Sequence, residues 1–318
     1  MEWSYLAKHP DEEKPPLPYH AGARIAARSW DPPPDDDVIH SHLWAEGQLE
    51  EELQNEHPLE TCLRYTEATD APTEGEHVEL QVVDEIQVMD GKHSQIAKVK
   101  VLDHRSAHEK LRLPLPSGEA VTAKFYDPLY QDIEDEVPDI FGNTYNACYR
   151  ETCVYQQLKP LWGTVVPHFH GSFRAQVPVP GQPGRSRHVY TILYEHAPGI
   201  ELSYIDADEW SQAERMAIMK AIIDGDSKIR QAGISQDDLV PRNVILHGRP
   251  GHPISVKMID FDYAFFEFDF NLDEDELDPE PPSVIVDRWT HKLRSPVDPF
   301  GMIIDWPWEE WIRGVYLR

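Results

Sequence analysis

Residues 231–246, QAGISQDDLVPRNVIL, decide how the chain is read. Two adjacent aspartates, Asp237 and Asp238, are followed by Pro241, an Arg242–Asn243 pair and the aliphatic run Val244 to Leu246. Such a segment is either a solvated turn or a loop that holds carboxylates over a reacting phosphate. Upstream, Ser211 and Glu214 have the spacing of a capping box, and Met216, Met219, Ile222 and Ile223 form a helical apolar stripe. Gly233 is placed to end that helix, so the loop starts where the helix stops. Downstream, VILH and ISVKMID read as two strands joined by GRPGHP, a hairpin of matched arms.

That hairpin has a chemical consequence. Asn243 stands at the start of its first arm and Asp260 at the end of its second, and in an antiparallel pair those two positions are neighbours. Asp238, in the preceding loop, reaches the same end. A carboxamide and two carboxylates form a hard-oxygen set suited to magnesium, which keeps several waters and shares its remaining positions with phosphates. The alternative is that Asp237 and Asp238 cap a turn and Asp260 merely ends a strand.

Two upstream residues bear on the same chemistry. Lys124 lies within the apolar strand VTAKFY, where an ammonium is costly to bury unless it meets an anion. Glu151 shares a helical face with Val154, Tyr155 and Leu158, so it points inward with them. Each residue answers the other's need, either as part of a site or as a structural ion pair or snorkelling side chains.

The remainder of the chain sets the frame. With 318 residues, 40% of them apolar, a folded globular protein is expected. A formal charge of −28 opposes nucleic-acid binding and favours cationic partners. The absence of a long apolar run and of a signal-peptide pattern at MEWSYLAKHPDEEK leads us to expect a soluble intracellular protein, in cytoplasm or nucleus, with no membrane partner. Cys62, Cys148 and Cys153 are too few for a disulfide framework or a zinc site. Residues 1–75 read as an acidic, Pro-rich arm with short helices near 44–53 and 59–65. Residues 76–195 read as a β-rich region with one helix over 145–158, and residues 196–318 as a mainly helical region ending in a Trp-rich tail. His168 and His170 share a strand face, as a metal pair or a surface pair. The acidic run FEFDFNLDEDELDPE is either a selector of cationic substrates or a solvated loop.

Taken in order, Lys124, Glu151, DLVPRN and IDFD resemble the strand lysine, helix glutamate, catalytic loop and metal motif of the protein-kinase-like fold, over about residues 82–265. More narrowly, the chain resembles divergent fungal kinase-like proteins, and is also similar to small-molecule phosphotransferases of the aminoglycoside phosphotransferase type. The resemblance implies an α+β, two-lobed fold with an antiparallel β-rich N-lobe and an abbreviated, mainly helical C-lobe. It implies ATP and Mg2+ as cofactors and a hydroxyl acceptor, cationic if the acidic run selects it. Asp238 would orient or accept the acceptor's proton, and Asn243 and Asp260 would hold magnesium. Lys124, fixed by Glu151, would contact the α- and β-phosphates. Gly91 would belong to the phosphate-covering loop, and backbone groups at Glu195 and Ala197 would meet the adenine. The chain departs from the pattern at Gln236, Asp237 and Asp262, which stand where the family has His, Arg and Gly, and in having Gly91 alone in the covering loop. These departures motivate the alternative of a pseudokinase acting as a nucleotide-binding or scaffolding module.

Overall fold

The computed structural model describes residues 14–32, 58–66, 75–105, 119–131, 140–179, 182–266, 281–292 and 299–317. Helix 44–53 and nearly all of the acidic run, both expected from sequence, lie outside them. The chain divides into two compact units, residues 1–152 with 169–196, and residues 153–168 with 197–318.

The first unit is built on a closed antiparallel barrel. Its strands are β1 (Arg24–Ser29), β2 (His77–Gln87), β3 (Gln95–Arg105), β4 (Ala120–Tyr126), β5 (Phe169–Pro178) and β6 (Ser186–Glu195), in the order β1-β2-β3-β4-β6-β5. Alternation along each strand explains the closure, because one set of side chains fills the interior. Ile25, Ala27, Val78, Leu80, Val99, Val121, Phe125, Phe173, Val177 and Val189 are all buried there. Strand β2 runs through both segments expected as separate strands, with register shifts between Glu79 and Leu80, Val82 and Asp84, and Glu85 and Gln87. Such bulges bend a strand enough to follow a curved wall.

This barrel overturns the expected two-lobed kinase-like arrangement. The protein is mixed α/β, with a closed six-stranded barrel and five helices among the described residues. The decisive element is β1, which pairs with β2 on one side and β5 on the other. Its sequence, RIAARS, lies inside the stretch whose prolines and acids suggested an arm, and only two apolar side chains, Ile25 and Ala27, mark its inward face. Six residues with so short an alternation give a weak strand signal until the neighbouring edges are known.

Helices α1 (Pro58–Thr66) and α2 (Ile140–Gln157) follow, the second starting earlier than its apolar spacing suggests. They bury Leu59, Cys62, Leu63, Ile140 and Phe141 with Leu129, Tyr130 and Val179. Near them, the carboxylate of Asp127 accepts from the Tyr19 hydroxyl at 2.6 Å and from both terminal nitrogens of the fully buried Arg187. A buried charge so matched is tolerated, whereas either partner alone would be strongly destabilising.

In the second unit, helix α3 (Gln212–Gln231) starts at the expected capping box, with Ser211 and Glu214 each serving the other's backbone N–H. Ile218, Met219, Ile222, Ile223 and Ile229 form its buried stripe, and Gly233 follows at φ +81°. The left-handed conformation suits glycine and turns the chain into the loop. Strands β9 (Val244–His247) and β10 (Ser255–Met258) make the expected hairpin, and β7 (Ile200–Glu201) adds to β9. Short strands β8 (Ile234–Gln236) and β11 (Ala264–Phe266) pair with each other. Helices α4 (Pro282–Lys292) and α5 (Trp308–Tyr316) complete the unit, with Trp289 and Trp306 buried. No helix among the described residues is long and apolar enough to cross a membrane.

Candidate functional site

The loop of the second unit runs from β8 to β9. Leu239 and Pro241 are buried and pin it down, and Pro241 opens the single turn Pro241–Asn243 that delivers Asn243 to the first residue of β9. The Asn243 side-chain amide donates to the Asp238 carbonyl at 2.8 Å and to Asp238 Oδ2 at 3.0 Å. At the other side of the hairpin end, the Ile259 N–H donates to the Asn243 carbonyl at 3.0 Å. Asp260 therefore follows directly on the residue bonded to Asn243, as the hairpin geometry predicts.

Asp260 has φ +66°, the one non-glycine residue with positive φ among the described residues. Aspartate visits this region more readily than most residues, at some cost, and such outliers concentrate where a side chain must be aimed. Gln236 sustains the conformation: its Nε2 donates to the Ile259 carbonyl at 2.9 Å and the Asp260 carbonyl at 3.2 Å. Because two carbonyls face that amide nitrogen, the orientation of the group is fixed. Its Oε1 is buried and has no hydrogen-bond partner among the described residues. Phe261 and Asp262 are also buried, and the Phe261 ring meets Tyr155 edge-on at 5.3 Å.

The two aspartates of the loop differ. Asp237 accepts from the Ser235 hydroxyl at 3.1 Å, and Ser235 itself accepts from Arg230 at 2.8 Å, so Asp237 serves the turn. Asp238 is gripped by Arg242, whose Nη2 lies 2.9 and 2.7 Å from its two oxygens, while Asn243 holds it from behind. The Arg242 contact was not anticipated, although a basic residue four positions after a carboxylate is a familiar pairing distance.

In the first unit, Lys124 is buried and its Nζ lies 2.7 Å from Glu151 Oε2. Strand β4 turns Lys124 and Tyr126 to the same face, and the Tyr126 hydroxyl also donates to Glu151 Oε2. The lysine ammonium stands 5.2 Å from the Tyr126 ring centroid. Tyr126 was missed by sequence reasoning, yet its position two residues from Lys124 on one strand is the signal. Gly91 sits in the turn between β2 and β3 at φ +80°, and its N–H donates to the Tyr130 carbonyl at 2.9 Å. Glu195 ends β6 opposite Val121. Next to it, His196 Nδ1 meets the Thr122 hydroxyl at 3.1 Å, and burial together with nearby Lys98 lowers its pKa. Ala197 belongs to the second unit and is half-buried. His168 is exposed ahead of β5, and a bulge between Phe169 and Gly171 breaks the alternation that paired it with His170.

Comparison with protein-family models gives no match, and comparison with curated proteins gives none.

Proposed function

We propose that the protein is an ATP- and magnesium-dependent phosphotransferase that moves the γ-phosphate of ATP to a hydroxyl group on a protein or small molecule. The observation that carries this reading is the joining of Asp238, Asn243 and Asp260 at one end of the β9–β10 hairpin, with Asp260 held at positive φ by Gln236. A carboxamide and a carboxylate carried at one end of a hairpin are of the hard-oxygen type that magnesium prefers when phosphate oxygens complete its shell. The orphaned Gln236 Oε1 adds a buried acceptor that one of the ion's waters would satisfy. Bound there, the ion would neutralise charge on the phosphates.

Asn243 and Asp260 are assigned to the metal, and Asp238 to the acceptor hydroxyl, whose proton it takes as the oxygen attacks phosphorus and ADP leaves. The charge of −28 favours an acceptor that carries positive charge. ATP supply suits the cytoplasm or nucleus.

A second reading is a binding module without transfer. The grip of Arg242 on both oxygens of Asp238 favours it, because a general base must release that partner to reach a hydroxyl. ADP release measured over a panel of hydroxyl acceptors, cationic ones included, separates the two readings. The phosphotransferase reading requires that Asp238→Asn abolish transfer while nucleotide binding persists; equal transfer in that variant would remove Asp238 from the chemistry.

A further inference from the structure

Where the motif resemblance expects glycine after Asp260 and Phe261, this chain has Asp262, and the chemistry proposed above gives it no role. Phe261 is fully buried and anchors the middle of the segment. The Ala264 N–H donates to the Phe261 carbonyl at 3.1 Å, a turn that carries the chain from Asp260 into β11. Asp262 lies in that turn and is only 7% exposed. Among the described non-glycine residues only Asp260 has positive φ, so position 262 does not need the backbone freedom of glycine and can carry a side chain.

The turn brings the side chain back to its neighbour. A carboxylate oxygen of Asp262 and one of Asp260 lie within 4.8 Å of each other. Magnesium binds oxygen at about 2.0–2.1 Å, so two of its ligands stand roughly 3–4 Å apart, and an approach of at most about 2 Å brings this pair onto one ion. Each carboxylate has other contacts in the fold as well. A ligand turns one oxygen to the ion and keeps the other for such partners, so the two demands are compatible. Independently of the acids, Gln236 points to a ligand at the same place. It is 3% exposed, its Nε2 donates to the Ile259 and Asp260 carbonyls, and it pairs with Ala264 across β8 and β11. The amide therefore packs against the backbone that carries both aspartates, and its Oε1 has no hydrogen-bond partner among the described residues. Ionised carboxylates only accept and cannot supply the missing proton, whereas magnesium keeps waters that donate.

We propose that Asp262 is a third protein ligand of the magnesium, beside Asn243 and Asp260, with a water of the ion bonded to Gln236 Oε1. Asp262 has this role only if the phosphotransferase reading holds, and it deepens that reading. Two carboxylates in place of one raise the negative charge of the donor set, and ligand charge is what tunes the affinity of an oxygen site for a hard cation. Nucleotide is then held at a lower metal concentration than a single aspartate would allow.

The test is the thermal unfolding midpoint of the full chain in excess ATP while Mg2+ or Mn2+ is titrated, each variant being read against its own midpoint without metal. Loss of a partner outside the ligand shell already costs roughly 10–100-fold in metal affinity, so Asp262→Asn is expected to raise the half-effective free metal concentration about tenfold or more. Asp237→Asn removes the same charge from the turn, where Asp237 bonds Ser235, and is expected to leave that concentration unchanged. Asp262→Cys supplies a second readout, because a thiolate prefers soft ions. With Cd2+ as the titrant, Asp262→Cys is expected to respond at about tenfold less metal than Asp262→Asn, a change that a purely structural Asp262 does not produce. Should Asp262→Asn not fold, Asp262→Cys decides, with the parent protein as its Cd2+ reference. A parent protein that responds to ATP and metal, beside an Asp262→Asn variant with the same metal requirement or an Asp262→Cys variant with no gain toward Cd2+, overturns the ligand role and leaves the phosphotransferase reading standing. A folded parent protein with no response at any metal concentration removes that reading, and the role of Asp262 with it.

Discussion

The side-chain amide of Asn243 bonds both the backbone carbonyl and the carboxylate of Asp238, at 2.8 and 3.0 Å. One buried side chain thus sets the shape of the loop and the aim of its carboxylate. Replacing Asn243 by Ala leaves the Asp238 carbonyl without that donor, and the expected loss of stability is about 1–3 kcal/mol. Denaturant unfolding of the variant beside the parent protein checks it, and an unchanged midpoint would show that the loop does not depend on this bond.

Lys124 and Glu151 form a buried pair to which Tyr126 adds a second hydrogen bond. Removing only the charge of Lys124, as in Lys124→Met, leaves Glu151 buried without its cation and is expected to cost about 3–5 kcal/mol. The double variant Lys124→Met with Glu151→Leu is expected to recover much of that loss, because two well-packed apolar side chains avoid both desolvation costs. Denaturant unfolding of the parent protein and of both variants measures this. A double variant no more stable than Lys124→Met would contradict this account of the pair.

Gly199 is fixed by a close approach in the second unit. It has φ +145°, and a Cβ there would stand 2.4 Å from the Leu246 carbonyl oxygen on β9. Backbone at that distance cannot yield as a flexible side chain could. Gly199→Ala is therefore expected to destabilise the protein by at least about 1–3 kcal/mol, the cost of forcing a side chain into a sparsely populated region. Thermal unfolding of the variant measures this.

The start of α3 gives a pH dependence with a defined sign. The Gly251 N–H first, and then the Ser211 hydroxyl and N–H, hold the Glu214 carboxyl below its ordinary value. A carboxylate with a depressed folded pKa contributes stability that is fully present above its unfolded pKa of about 4.3 and is lost as pH falls through the lower folded one. Glu214→Gln is expected to flatten the stability curve in that acid window and to leave its slope near neutrality alone. Unfolding midpoints collected from acid to neutral pH test this.

Local signals carried different amounts of information. Helix α3 was legible at both ends because its capping box and terminal glycine are short-range chemistry. The hairpin was legible because VILH and ISVKM alternate and a Gly/Pro turn separates them, and its geometry then brought Asn243 beside the Ile259–Asp260 backbone. The meeting of Lys124 with Glu151 followed from the cost of burying either charge alone. Barrel closure was not legible. Strand β1 reaches its two partners, β2 and β5, across long sequence separations, and nothing in RIAARS announces that both edges await it. The Arg242 grip on Asp238 and the Gln236 bridge to the Ile259 and Asp260 carbonyls were likewise missed, since both depend on how the loop turns in space.

The most direct measurement for the phosphotransferase reading is the thermal unfolding midpoint with ATP, with and without Mg2+ or Mn2+, for the parent protein and for Asp260→Asn. The account predicts a rise in the parent protein that requires both nucleotide and metal and that disappears in Asp260→Asn. A folded parent protein whose midpoint does not move with ATP and metal, or an Asp260→Asn variant that keeps the full rise, would contradict it.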